Sequence, residues 1–213
     1  MEVNNSQQSN VIVDTGCANL SSVKFEIERL GFNVIISDDI NVIKQADKVI
    51  LPGVGAFSVG MENLKKNHLE NALKEFLKKG NYLLGICLGM QLLMESSEEF
   101  GQFEGLGLIN GKVISLERKE NFPIPHIGWS TIELNKNKSK NKLITDIKND
   151  SYFYFIHSYK VLVEDNENSI CTTNYGLNTF CSVVNSANIF GTQFHPEKSG
   201  KVGEKLIQNF LDL

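Results

Sequence analysis

The run Tyr82-Leu83-Leu84-Gly85-Ile86-Cys87-Leu88-Gly89-Met90-Gln91 constrains the fold of this chain more than any other stretch. An apolar run leads directly into a helical one, Met90 to Glu95, with no residues left over for a loop. A sharp, strained strand-to-helix turn makes that connection, and small residues must flank its apex because side chains there collide. Gly85 and Gly89 meet that demand and leave Cys87 between them. The helix that starts here aims its free N–H groups and positive dipole end at the sulfur, which favours thiolate over thiol. Two readings fit the local pattern: an activated nucleophile, and a buried structural cysteine beside a glycine turn.

The segments before the turn alternate in type. Val11-Ile12-Val13, Asn33 to Ser37 and Lys48 to Leu51 read as buried strands. Between them, Asn19 or Ser21 caps a helix running to Leu30, with Val23, Ile27 and Leu30 on one face and Gly31 as its stop. A short helix covers Ile40 to Gln45, and Met61 to Lys79 is helical with a break near His68. Strand and helix in alternation imply right-handed crossovers and a parallel sheet. After the turn the pattern changes. Leu108 to Leu116 holds a strand or hairpin, and Ile132–Leu134, Tyr152–Ile156, Tyr159–Val163, Ser169–Thr173 and Thr179–Val184 are short and partly alternating, as antiparallel strands are. Ile189 to Phe194 is a strand running into His195-Pro196-Glu197, and Val202 to Leu211 closes the chain as an amphipathic helix. The expectation is one α/β domain over residues 11–213, with a mixed, mainly parallel central sheet flanked by helices and additional antiparallel strands in the C-terminal half. A polar tail, residues 1–10, precedes it.

Bulk properties narrow the partners. The 213 residues suffice for one large core, and the net charge is only −4. Lys136 to Lys142 is basic but interleaved with asparagine, which is a solvated loop and not a nucleic-acid or membrane surface. No apolar segment approaches the ~20 residues that span a bilayer, and the polar N-terminus has no secretory apolar region. The four cysteines, Cys17, Cys87, Cys171 and Cys181, show neither CxxC nor zinc spacing. Cys171 and Cys181 fall in strand-like runs as core residues. The expectation is a reduced, cytoplasmic protein without metal or cofactor.

A cysteine nucleophile needs a base, and the base needs a group to orient it. His195 follows a strand, and Pro196 rigidifies its link to Glu197. In open α/β sheets, sites assemble at the carboxyl edge of the strands, where Cys87 also lies. His195 can take the thiol proton and return it to the leaving group, while Glu197 holds the ring and stabilises its charge. The other reading of this segment is a His-Pro turn with a surface glutamate. An oxyanion needs two donors: the backbone N–H of Leu88, and one from the Gly53-Val54-Gly55 loop. Taken alone, that loop also reads as an ordinary strand-to-helix turn.

The motifs GICLGMQ, PGVG and HPEK, in this order and spacing, resemble those of the class I (triad-type) glutamine amidotransferases. Pro123-Ile124-Pro125-His126-Ile127-Gly128-Trp129, Phe155-Ile156-His157-Ser158-Tyr159 and Phe194-His195-Pro196-Glu197-Lys198 narrow the resemblance to the glutaminase subunits of imidazole glycerol phosphate synthases. It covers nearly the whole chain, from Val11 onward. It implies hydrolysis of glutamine through a thioester on Cys87, with the ammonia passed to a (β/α)8 cyclase partner that builds an imidazole ring in histidine biosynthesis. Cys87, His195 and Glu197 match the triad. Gly53, Gln91, Glu99, Tyr154, Ser158 and Tyr159 match positions around the bound glutamine, and Asn19, Trp129 and Lys198 match the face that meets the cyclase. Trp129 also fits a core aromatic. His126 and His157 match family positions for which the sequence gives no chemical role.

Two segments depart from the pattern. Thr15 and Ala18 stand where the family usually has Tyr and Gly, and Ser130 follows the motif Trp where Asn is usual. Both belong to the partner side. They leave room for a related subunit that feeds ammonia to the amidation of a surface-polysaccharide sugar. A free-standing cysteine hydrolase is a further alternative.

Overall fold

The computed structural model describes residues 8–16, 18–138 and 140–213. The first half builds β1 (Asn10–Val13), α1 (Leu20–Arg29), β2 (Val34–Ser37), α2 (Ile40–Gln45), β3 (Lys48–Gly53), α3 (Phe57–Lys66), α4 (Leu69–Lys78), β4 (Tyr82–Cys87) and α5 (Leu88–Leu92). The second half adds β5 (Met94–Ser97), β6 (Phe103–Glu104), β7 (Ile109–Ser115), β8 (His126–Thr131), β9 (Glu133–Leu134), β10 (Tyr152–His157), β11 (Tyr159–Val163), β12 (Ser169–Tyr175), β13 (Asn178–Ser186), β14 (Ile189–Thr192) and the closing helix α6 (Gly200–Leu211).

The expected mixed sheet is present. Eight strands run in the order β2-β1-β3-β4-β14-β13-β12-β9, the first five parallel and the last three antiparallel. Alternation divides its side chains between two layers. Val11, Val13, Val49 and Leu51 pack with α2 to α5, whereas Ile12 and Ile50 pack with α1 and α6. The remaining strands leave this sheet. β8 pairs antiparallel with β10, and β11-β7-β5-β6 form a separate four-stranded sheet. Among the described residues no helix is long and apolar enough to cross a membrane.

Local chemistry explains the element ends. Asn19 caps α1 by accepting from the Ser22 N–H at 3.4 Å. His68 adopts φ 55° and separates α3 from α4 at the expected break. Three expectations need correcting. α3 begins at Phe57, not Met61, because the Phe57 N–H bonds the Glu99 carboxylate at 2.6 Å and its ring is fully buried. The helix after Cys87 stops at Leu92, short of Glu95. The N–H groups of Leu106, Leu108 and Gly107 take the carbonyls of Leu92, Leu93 and Met94, which frees Met94 to begin β5. β1 begins at Asn10, whose amide bonds the Asn33 carbonyl at 2.9 Å, so the strand reaches into the segment assigned to the polar tail. Residues 1–7 of that tail, and Cys17, lie outside the described residues.

Candidate active site

β4 lies between β3 and β14, with Gly53 in register with Cys87 and Thr192 with Ile86. The loops leaving β3 and β14 therefore flank Cys87 at the carboxyl edge of the sheet. Cys87 has φ 54° and ψ −108°, a left-handed conformation that a non-glycine residue adopts only when its surroundings impose it. Close packing imposes it here. A Cβ on Gly89 would lie 1.7 Å from the Leu51 carbonyl oxygen, and one on Gly85 would lie 2.8 Å from the Gly89 backbone. The two glycines let the chain reverse against β3, and the strained apex aims Sγ into a cavity.

The candidate base, His195, follows the end of β14. His195 donates its backbone N–H to the Tyr154 carbonyl at 2.9 Å, and its own carbonyl accepts from Ser199 Oγ at 2.6 Å. Ser199 Oγ in turn accepts the Tyr154 N–H at 3.0 Å. The tight turn at Pro196–Lys198 folds Glu197 back, so that His195 Nδ1 lies 2.8 Å from Glu197 Oε1 with both side chains buried. Burial alone would lower the His195 pKa, but Cys87 on one side and Glu197 on the other push it up to about 10. Among the described residues His195 Nε2 has no hydrogen bond and remains free to exchange a proton. The Cys87 thiol donates to the Ile156 carbonyl at 3.7 Å, and Gln193 Nε2 approaches its sulfur at 3.8 Å.

The cavity measures about 350 Å³. Cys87, Leu88, Gln91, Glu99, Ser158 and Tyr159 line it, so the fold gathers much of the expected set from three separate segments. Gly53, Tyr154, His195 and Glu197 do not line it. Gly53 is buried against the Leu88 side chain, and Val54 and Gly55 of the same loop face the cavity instead. Tyr154 packs edge-on against Trp129, with ring centroids 6.0 Å apart, and its backbone holds His195 in place. Burial raises the pKa of Glu99, against the lowering effect of its bond to the Phe57 N–H.

Trp129 is not a core aromatic; it is 54% exposed. Ile127, Trp129, Tyr152 and Ile156 form one outward apolar surface on the β8–β10 ribbon, where Tyr154 pairs with Trp129 and Ile156 with Ile127. Asn19 and Lys198 are also exposed.

Sequence reasoning passed over three groups. Gln193 is fully buried and lies two residues before His195, just past the end of β14. Phe100, with φ 55° and 83% exposed, stands edge-on to Tyr159 at the cavity rim. The third group is a hydrogen-bonded histidine pair, His126 Nδ1 to His157 Nε2 at 3.1 Å. Cys171 and Cys181 are buried in the sheet as expected. Among the described residues no cluster of three His, Cys, Asp or Glu is arranged to hold a metal ion.

The family model for glutamine amidotransferase class-I matches residues 11–213. Imidazole glycerol phosphate synthase subunit HisH of Vibrio parahaemolyticus is 50% identical over 212 residues, covering 97% of this chain and 99% of its own length. Subunit HisH 2 of Methanococcus maripaludis is 47% identical over 201 residues, covering 94% of this chain and 97% of its own. Among solved structures, PurLQS from Thermotoga maritima superposes with a TM-score of 0.70 at 18% identity, over 96% of this chain and 98% of that one. The acivicin-bound glutaminase domain of Trypanosoma brucei CTPS gives 0.64 at 16% identity, over 97% and 94%. At such low identity these two structures speak to the fold alone.

Proposed function

The chain belongs to the class I glutamine amidotransferases, and from that premise we propose that it is the glutaminase subunit of an imidazole glycerol phosphate synthase. One observation carries the catalytic part: a cysteine at a strained strand-to-helix turn lies beside a histidine whose Nδ1 is fixed on a buried glutamate at 2.8 Å. The high identity to relatives named as that synthase subunit, over nearly their whole length, supports the choice of acceptor reaction.

In the proposed mechanism Cys87 Sγ attacks the carboxamide carbon of glutamine. The oxyanion is held by the Leu88 N–H and by an N–H of the Gly53-Val54-Gly55 loop. His195, held as imidazolium between Cys87 and Glu197, gives its proton to the leaving nitrogen, so that ammonia departs and a thioester remains on Cys87. Water then attacks the thioester while His195 takes its proton, which releases glutamate and restores the thiolate. Gln91, Glu99, Ser158 and Tyr159 supply the polar contacts of the glutamine pocket. Ammonia passes to a (β/α)8 cyclase subunit. The outward apolar surface around Trp129 supports docking there, since an exposed patch of large apolar side chains marks an interaction site. Asn19 and Lys198 extend that face.

A low basal rate before partner docking follows from a missing oxyanion donor, which costs about 10²–10³ in rate. The test is Cys87→Ala in the assembled complex. Glutamine-dependent synthesis should vanish while ammonia-dependent synthesis persists. Loss of both together would refute the division of labour, and strong glutamine hydrolysis by the subunit alone would favour a free-standing hydrolase.

A further inference from the structure

A chain of buried polar groups runs from the strand that carries Trp129 to the sulfur of Cys87, and its direction is fixed by chemistry. His157 Nδ1 lies 2.8 Å from the Tyr159 carbonyl, which only accepts, so the proton sits on Nδ1. Burial keeps His157 neutral, with its pKa lowered to about 3, so its Nε2 is an acceptor. His126 Nδ1 must then donate across the 3.1 Å contact. His126 is neutral too, its pKa lowered to about 4, so its Nε2 accepts from the Ser130 hydroxyl at 2.9 Å. The Tyr159 carbonyl also accepts from Gln91 Nε2 at 3.1 Å, and the same amide nitrogen donates to Gln193 Oε1 at 3.1 Å. Gln193 Nε2 faces Cys87 Sγ. The rings cannot swing away: His126 stacks on Tyr175 at 3.9 Å and on Phe155 at 5.0 Å, and His157 stands edge-on to Phe180 at 5.0 Å.

We propose that Ser130, His126 and His157 are positioning residues for glutamine hydrolysis, holding the Tyr159 carbonyl and thereby the Gln91 and Gln193 amides against Cys87, and that partner contact on the outer face of β8 reaches the nucleophile through them. The proposal rests on the reading of Cys87 as nucleophile and of the Trp129 face as docking surface. Strand alternation supplies the link. His126 and Ser130 lie on the inner face of β8, and Ile127 and Trp129 on the outer face of the same strand. A displacement of β8 by a docked subunit moves both faces. The serine at 130 thereby finds a role: its hydroxyl supplies the donor that His126 Nε2 requires.

The test uses the complex of this subunit with its cyclase, comparing wild type, Ser130→Ala and Ser130→Thr. Ser130→Ala leaves a buried acceptor unpaired. It should lower the partner-stimulated kcat for glutamine about tenfold, a change of about 1.4 kcal/mol. The Kd for the partner should stay within about twofold of wild type, because the hydroxyl lies on the inner face of β8. Ser130→Thr, which keeps the hydroxyl, should restore kcat. Long-range 1H–15N correlation spectra of the wild-type complex should show both His126 and His157 protonated on Nδ1. Full stimulated kcat in Ser130→Ala, or a proton on Nε2 of His157, overturns the relay while the glutaminase reading stands. A wild-type complex that does not hydrolyse glutamine overturns that reading and the relay with it.

Discussion

His195 and His157 are both buried, yet they hold opposite charge states. His195 is raised to about 10 and His157 lowered to about 3. The difference lies in what each second nitrogen meets. Glu197 gives His195 a full negative charge at 2.8 Å, and the Cys87 sulfur faces its other side. His157 has a neutral carbonyl on one nitrogen and a neutral imidazole on the other, while His126 and His195 lower its pKa further. Burial penalises the charged form of both, and Cys87 together with Glu197 reverses the outcome for one of them. The first is thereby suited to carry protons and the second to fix the direction of a hydrogen-bond chain.

Removing that carboxylate gives the largest effect. Glu197→Gln should cost about 10³–10⁴ in kcat for glutamine hydrolysis by the complex, since a neutral amide neither stabilises the imidazolium nor selects the tautomer. A variant within tenfold of wild type would show that Glu197 does not orient the base.

The pH dependence of stability sharpens the contrast. A histidine whose folded pKa is depressed binds fewer protons folded than unfolded, so it destabilises the fold as pH falls below the unfolded value of about 6.5. His126 and His157 should each remove on the order of 2 kcal/mol between pH 6.5 and 5. His195 acts the other way. Its stabilisation is complete below about pH 6.5 and is lost as pH rises toward 10. Urea unfolding of the isolated subunit at several pH values should show stability falling on the acid side, and His157→Gln should flatten that limb. An unchanged acid limb in the variant would mean that His157 is not held neutral.

The smallest effect concerns the thiols. Burial pushes Cys181 up to about 11 and raises Cys171 further, whereas Cys87 opens to the cavity. Among these three, mass-mapped alkylation of the folded subunit should modify Cys87 first, with Cys171 and Cys181 reacting only on unfolding. Equal labelling of all three would contradict this burial pattern.

Most of the parallel half was legible in the residues. Val11–Val13 and Lys48–Leu51 announced buried strands because both faces of a parallel strand are covered. Asn19 announced a cap, and Gly85 and Gly89 announced the sharp turn at Cys87. His195 and Glu197 were readable as a pair because only Pro196 separates them, within one tight turn. The start of α3 at Phe57 was not legible, because it depends on Glu99, 42 residues away. Nor was the strand at Met94, which exists because residues 106–108 claim carbonyls that would otherwise continue a helix. Tyr154 illustrates the same limit. Its place near the site follows from its backbone bond to His195, and its ring turns outward to Trp129.

The sequence by itself determined the strand-turn-helix at Cys87, the pairing of His195 with Glu197, and the family to which the chain belongs, because each is encoded by residues close together in the chain. Only the tertiary structure decided that Trp129 is exposed, that Val54 and Gly55 face the cavity in place of Gly53, and that Ser130, His126, His157, Tyr159, Gln91 and Gln193 join into one path. Those facts depend on how β8 and β10 leave the main sheet and on which donors find acceptors across 30 to 100 residues of chain. Local propensity carries no information about such pairings; burial and the need to satisfy every polar group select them.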